Sequence, residues 1–388
     1  MNFGHLSRSL RLQRGFAVVA ALLALTACGG EADLQQPLPE STQAALRAAV
    51  AAVPRDGSAP GASVTVDHPA YRRWSGAAGL ASVPDRAALT VEHRQRAGSM
   101  LKPAVAIAVL QRVEQSRLSL GATLDRIVPD SVAAQVPLAS SITLRMLLSH
   151  TSGIPDCCGD DFDAAVWADP ARIWTVADYL ARARAKPRTQ PPGAGWSYSN
   201  TNYVLLGEVL AHNTGQHWRR VVGERVFHRA GLQNSALPPV GDVRCPGCAR
   251  GYGAIDGRWV DMSEIDPSMA DAAGGHAWIT TPTDLTRLLR AWFDGRLFDR
   301  SATLAQMLDF TPASVPEEYL TGYGLGVMRL ERNGRVYLGH FGGTAGYLGF
   351  MLQERDSGVA IAGYLNGQGN LAALLLRVLD AVDQIPLP

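Results

Sequence analysis

A serine and a lysine three residues apart, in Ser99-Met100-Leu101-Lys102, stand at the head of an apolar helical run, Ala104-Val105-Ala106-Ile107-Ala108-Val109-Leu110. On a helix that spacing puts both side chains on one face. A serine hydroxyl is a poor nucleophile until a base takes its proton, and a lysine with a lowered pKa can be that base. The spacing alone also occurs in surface helices. Composition sharpens it: of 36 Lys and Arg residues, only Lys102 and Lys186 are lysine. Arginine stays protonated and cannot be the base, so a chain that writes nearly every cation as arginine has kept lysine beside this serine. Lys186, in Ala185-Lys186-Pro187-Arg188, reads as a solvated loop charge.

Two further groups carry chemistry. Tyr198-Ser199-Asn200 follows Pro192-Gly193 and precedes a helical stretch from Thr201. A phenol near a cationic lysine can titrate well below its free value and shuttle protons, and an Asn side chain can hold a substrate carbonyl. The plainer alternative is a helix start capped by Ser199 or Asn200. His340-Phe341-Gly342-Gly343 ends a strand and runs into Thr344-Ala345-Gly346. Glycines there let a ligand approach the backbone, so that an N–H can meet a developing oxyanion together with the N–H of Ser99. Its plainer alternative is a glycine-rich hairpin corner with a structural histidine.

The elements that must position these groups follow from periodicity. Thr42 to Val53 is Ala-rich and helix-like, Ala62 to Val66 alternates as a strand, and Tyr71 to Ser75 can be its hairpin partner. Helical patterns and long loops dominate from Leu101 to about Leu285. Strands return at Tyr323 to Leu330, Val336 to His340, Tyr347 to Leu352 and Val359 to Leu365, with Asn333-Gly334 as a turn, before a last amphipathic helix from Leu371 to about Val382. Strands at both ends with helices between imply an α+β fold. An antiparallel sheet flanked by helices is closed by the two chain ends, and a mainly helical lobe is inserted in the middle. The expected division puts residues 41–98 and 276–388 in the sheet lobe and 99–275 in the helical lobe.

In this order and at these separations, the three groups resemble the SxxK, YxN and HxG/KTG triplet of the serine β-lactamase superfamily. The likeness is to class C β-lactamases, D-Ala-D-Ala carboxypeptidases and the esterases built on their fold. Pro60-Gly61-Ala62, Leu147-Leu148-Ser149-His150-Thr151-Ser152-Gly153-Ile154-Pro155 and Ala272-Ala273-Gly274-Gly275 match the same family's habit. The resemblance covers most of residues 42–388. It implies a catalytic set of Ser99, Lys102 and Tyr198, with Ser99 forming an acyl-enzyme and the other two moving the proton. It implies substrate binding by Asn200, His340, Gly342 and Gly343, an oxyanion hole from the N–H groups of Ser99 and Gly343, and no metal or organic cofactor. His150 is implied to be structural, closing a helix before Gly153.

The implied function is hydrolysis of D-Ala-D-Ala-like peptides in the cell envelope, with esterase, β-lactamase and non-catalytic penicillin-binding roles as alternatives. His340 stands where many β-lactamases have lysine, which points away from efficient β-lactam turnover. Carboxypeptidases of this type usually carry hydroxyl residues after the histidine that help hold the substrate carboxylate. Phe341 and Gly343 occupy those positions, and neither side chain donates a hydrogen bond.

The remaining features bear on location and partners. Arg8, Arg11 and Arg14 precede an apolar run from Phe16 to Ala27, too short to span a bilayer as a helix. It reads as an export signal, 1–27. Leu25-Thr26-Ala27-Cys28 resembles a bacterial lipobox, which implies lipidation at Cys28, a tether over 28–40 and a membrane partner through that lipid alone, facing the periplasm. The alternative is a plain signal peptide. The vicinal pair Cys157-Cys158 and Cys245-Pro-Gly-Cys248 read as disulfides of an exported protein rather than as a metal site, with the pairing open. A net charge of +1 gives no field suited to nucleic acid, so the expected partner is a small-molecule or peptide substrate.

Overall fold

The computed structural model describes residues 35–313 and 320–385. The expected export signal and Cys28 lie outside the described residues. Within them, no helix is long and apolar enough to cross a membrane.

Helix α1, Glu40–Arg55, leads into strands β1 (Gly61–Asp67), β2 (Trp74–Ser82) and β3 (Ala87–Ala88). The chain then leaves the sheet through helices α2 (Leu101–Glu114) and α3 (Asn200–Thr214), returning by α4 (Pro282–Phe293). Strands β4 (Leu320–Tyr323), β5 (Met328–Arg332), β6 (Arg335–Thr344), β7 (Tyr347–Glu354) and β8 (Ala360–Leu365) precede helix α5, Leu371–Asp383. They complete one antiparallel sheet in the order β3-β2-β1-β8-β7-β6-β5-β4, so that the first and last strands of the chain pair at its centre, Ala62 opposite Leu365. The expected closure of the sheet by both chain ends is what the topology contains.

Alternation along the strands divides the core. Phe350, Leu352 and Ile361 face α1 and α5, where they meet Leu46, Val50, Leu374 and Val378. Met351, Ala360 and Ala362 face the other way, onto α2, α3 and α4 through Leu110, Leu206 and Leu289. Helix α2 is buried almost all round, which is why its sequence is apolar on every face.

Two elements differ from the periodicity. The partner of β1 is Trp74–Ser82 and not Tyr71–Ser75. Tyr71 lies in the turn, edge-on to His68 with ring centroids 4.7 Å apart. The Gly76-Ala77-Ala78-Gly79 stretch has weak strand preference and becomes strand because β1 offers it a full ladder. The segment Tyr323 to Leu330 is two strands, broken at Gly324-Leu325-Gly326, where Gly326 takes φ +85°. The Asn333-Gly334 turn joins β5 and β6 with both residues at positive φ, 51° and 74°, as a two-residue hairpin demands.

Candidate active site

Ser99 lies in a single 3-10 turn, Gly98–Met100, that runs directly into α2. Lys102 is fully buried in the first turn of that helix. Its Nζ meets Ser99 Oγ at 2.8 Å, Asn200 Oδ1 at 2.8 Å and the Ala273 carbonyl at 2.6 Å. Burial lowers the Lys102 pKa to about 7, against a smaller opposing pull from Asp156. Asn200 Oδ1 and the Ala273 carbonyl can only accept, so they take the two N–H bonds of a neutral amine and leave its lone pair for the Ser99 hydroxyl proton.

The Tyr198 hydroxyl is 3.0 Å from the same Ser99 oxygen, to which it donates. Its ring lies under Lys102 Nζ, 4.9 Å from the centroid, and against the ring of His150, 4.4 Å away. The expectation of a phenol titrating below its free value is not met. Burial raises the Tyr198 pKa and outweighs the hydrogen bond to Ser99, the one cause that lowers it. Tyr198 therefore stays protonated and is a proton donor.

Asn200 opens α3, whose N-cap is Ser199. Ser199 makes no side-chain cap; its hydroxyl goes to the Pro155 carbonyl at 3.2 Å, and its N–H to His150 Nδ1 at 3.2 Å. Asp156, which sequence reasoning missed, holds Asn200 twice. One carboxylate oxygen accepts the Asn200 backbone N–H at 3.0 Å, and the other accepts Nδ2 at 3.1 Å. With Oδ1 turned to Lys102, one Nδ2 hydrogen remains for a substrate carbonyl. His150 is buried, with φ +58°, just past the helix Leu144–Leu148.

Backbone contact brings the remaining pieces to Ser99. Gly274 has φ +126°, and a Cβ there would stand 2.2 Å from the Gly98 carbonyl oxygen, so only glycine lets this strand of chain present the Ala273 carbonyl to Lys102. Gly342 is equally confined, against the Ala97 carbonyl at 2.2 Å. Strand β6 supplies the oxyanion donor by parity. Arg335 opposite Arg332 and Thr344 opposite Tyr347 each close a two-residue turn and are hydrogen-bonded pairs. Counting from either turn, the N–H and C=O of Phe341 and Gly343 point away from β7, toward the side where pairing with β5 has stopped at Gly339. The Gly343 N–H is thus free on the edge that adjoins Gly98 and Ser99.

His340 does not reach the cleft. It is fully buried, its Nε2 takes the Tyr323 hydroxyl at 3.0 Å, and its Nδ1 donates to the Phe341 carbonyl at 2.5 Å. Burial, helped by Lys102, lowers its pKa to about 3. The expected substrate-binding roles of His340 and Gly342 are corrected to supporting ones. His340 shares the face of Val336 and Leu338, and its alternation with them is the signal that could have shown it. Phe341 turns to the opposite face and packs on the second core.

The cleft, about 640 Å³, is lined by Ser99, Asn200 and Gly343 and by a largely apolar wall that includes Phe162, Trp167 and Met262. Among its described lining residues none is Lys or Arg, and the one charged side chain is Asp163. The cysteines divide. Cys245 and Cys248 lie with their sulfurs within bonding distance in a loop that meets Arg94, away from the cleft lining. Cys157 and Cys158 are not bonded to each other, which departs from the expectation that all four are oxidised.

The beta-lactamase family model matches residues 46–382. The chain belongs to the beta-lactamase family. Its relatives include penicillin-binding protein 4 of Amycolatopsis lactamdurans, 26% identical over 72% of this chain and 74% of that protein. A D-aminopeptidase of Brucella anthropi is 25% identical over 86% of this chain, which spans 62% of that relative's length. A solved D-stereospecific amidohydrolase from a Streptomyces species superposes with a TM-score of 0.77 at 30% identity, covering 89% of this chain and 98% of its own. This member of the beta-lactamase family is accordingly a serine hydrolase with the family's mixed sheet-and-helix fold.

Proposed function

We propose that this chain hydrolyses amides and esters through an acyl-enzyme on Ser99, and that it prefers substrates without a carboxylate near the scissile bond. The observation that carries the reading is the Ser99 oxygen, which Lys102 and Tyr198 both reach beside a cleft lined, among the described residues, by no cation.

In this reading neutral Lys102 takes the hydroxyl proton as Ser99 Oγ bonds to the substrate carbonyl carbon. Negative charge develops on the carbonyl oxygen, which the N–H groups of Ser99 and Gly343 receive. Tyr198 gives its proton to the departing nitrogen or oxygen and regains one from Lys102. Water then attacks the acyl carbon by the reverse route. Asn200 orients the substrate through its remaining Nδ2 hydrogen, and Asp156 holds Asn200.

A D-Ala-D-Ala carboxypeptidase must accommodate a terminal carboxylate, which is costly to bury without a partner. The sole charged residue of the described lining, Asp163, would repel it. That favours amidase and esterase chemistry, in keeping with the D-aminopeptidase and D-stereospecific amidohydrolase relatives, over the carboxypeptidase activity expected from motif order. From the sequence Leu25-Thr26-Ala27-Cys28 we also propose that the enzyme is exported to the cell envelope and anchored through Cys28.

The test is a four-substrate comparison: a D-aminoacyl anilide, a short-chain nitrophenyl ester, a D-Ala-D-Ala peptide and a chromogenic cephalosporin. The anilide and ester should turn over fastest. Superior cleavage of the D-Ala-D-Ala peptide would sink the preference.

A further inference from the structure

The loop that carries Asp156 also carries two adjacent thiols. Cys157 is fully buried and Cys158 lines the cleft, and their sulfurs lie 2.7 Å apart. Both backbones are tied into the catalytic scaffold. The Cys157 N–H donates to Thr201 Oγ1 at 3.0 Å, and the Cys158 N–H donates at 3.1 Å to Asp156 Oδ1, the oxygen that also accepts the Asn200 N–H. From Asn200 the chain of contacts continues to Lys102 at 2.8 Å.

We propose that Cys157 and Cys158 are a redox modification site, closing reversibly to a vicinal disulfide that slows acylation at Ser99. The oxidant is a small disulfide, R–S–S–R. The Cys158 sulfur, as thiolate, attacks it through the cleft and displaces one thiol. The Cys157 thiol then loses its proton and attacks the Cys158 sulfur, releasing the second. Two protein thiols are oxidised and one small disulfide is reduced to two thiols. Burial holds the Cys158 thiol well above its ordinary pKa, so the first exchange is slow, while the second is intramolecular between sulfurs already in contact.

Closure must draw the sulfurs from 2.7 Å to about 2.05 Å and lock the intervening peptide into an eight-membered ring. The N–H of that peptide is the Cys158 N–H, one of the donors that hold Asp156 in place and oppose the upward push of burial on its pKa. Turning it away weakens the hold of Asp156 on Asn200, and so of Asn200 on Lys102. The effect on rate rests on the acyl-transfer reading given above, whereas ring formation does not.

The test uses the full chain, reduced with dithiothreitol, desalted and exposed to glutathione disulfide. Peptide mapping should find Cys157 linked to Cys158, with two hydrogens lost and no glutathione retained. Fluorophosphonate labelling of Ser99 should fall about tenfold, the cost of one hydrogen bond to a charged group, and return on reduction. Cys158→Ala should remove the response to oxidant, and a Cys245→Ala, Cys248→Ala double variant should keep it. A stable glutathione adduct on Cys158, no linked peptide, or a linked pair with unchanged labelling would each overturn the proposal. If Ser99 is unlabelled in both states while the ring forms, the acyl-transfer reading is what fails.

Discussion

Lys102 Nζ lies 2.8 Å from Asn200 Oδ1, an oxygen that can only accept, and this contact fixes how the amine spends its hydrogens. With the Ala273 carbonyl taking the second N–H, the lone pair is directed at Ser99. A base must be neutral to act, and burial sets the Lys102 pKa at about 7. Acylation should therefore fall as pH drops through about 7, tenfold per unit below it, and be flat above about 8. Because burial raises the Tyr198 pKa, no alkaline loss should follow up to pH 10. Stopped-flow or timed labelling across pH 5 to 10 measures this. A profile flat through pH 7 would remove Lys102 as the base.

Substitution separates charge from basicity at the same pair. Ser99→Ala should abolish fluorophosphonate labelling. Lys102→Arg keeps a cation but cannot accept the proton, so labelling should fall at least a hundredfold. Undiminished labelling in Ser99→Ala would show that the nucleophile lies elsewhere.

Asp156 offers a subtler test. In Asp156→Asn the new side chain can accept one bond but opposes its own amide to Asn200 Nδ2, so the pair is broken on one side. Acylation should drop about tenfold. Asp156 also raises the Lys102 pKa, so removing its charge should move the acid limb to lower pH. A rate loss with an unmoved limb would mean that Asp156 serves the fold alone.

How much of this could be read from sequence follows from how local each relationship is. Ser99 and Lys102 are one helical turn apart, and the strands β6 to β8 are short apolar runs at hairpin spacing, so both are legible. Tyr198 and Asn200 were legible as a group preceding a helix, though not their partners. Asp156 reaches Asn200 across 44 positions from a Pro-Asp-Cys loop with no periodic signal. The Ala273 carbonyl is a backbone atom whose role depends on Gly274 fitting against Gly98. Motif position points His340 toward the cleft, whereas its alternation with Val336 and Leu338 puts it in the core. The direction of the Tyr198 pKa is not legible, because it is set first by burial, which outweighs the hydrogen bond to Ser99.

The expected lipobox has its own check. Mass spectrometry of the N-terminal peptide from the exported protein should find a diacylated Cys28, and the protein should partition into detergent. An unmodified Cys28 in a soluble mature chain would contradict the anchor.

The cleft wall decides substrate preference, and two of its residues can be changed without touching the Ser99 oxygen. Gly343 lines the cleft, and a Cβ there would meet only Leu348 Cδ2, at 3.3 Å, so a hydroxyl residue can be introduced with a small adjustment. Phe341, the other position lacking a hydroxyl, packs on the second core and is the poorer site for the change. Asp163 is exposed and makes no ion pair among those of the described residues, while burial and the nearby Asp160, Asp156 and Asp161 raise its pKa. An acid held among acids repels a carboxylate and gains from an ammonium group, so wild-type enzyme should prefer D-aminoacyl amides with a free amine over their N-acetylated forms. Asp163→Asn should erase that preference, and Asp163→Arg should reverse it by supplying the missing partner for a carboxylate. Combining Asp163→Arg with Gly343→Thr should raise kcat/KM for a D-Ala-D-Ala peptide about tenfold, since each contact to a charged group is worth about that factor or more and some is lost to imperfect geometry. If Asp163→Asn leaves the ratio of free to acetylated substrates unchanged, the ammonium is read elsewhere on the cleft wall, and Asp163 is a solvated rim charge.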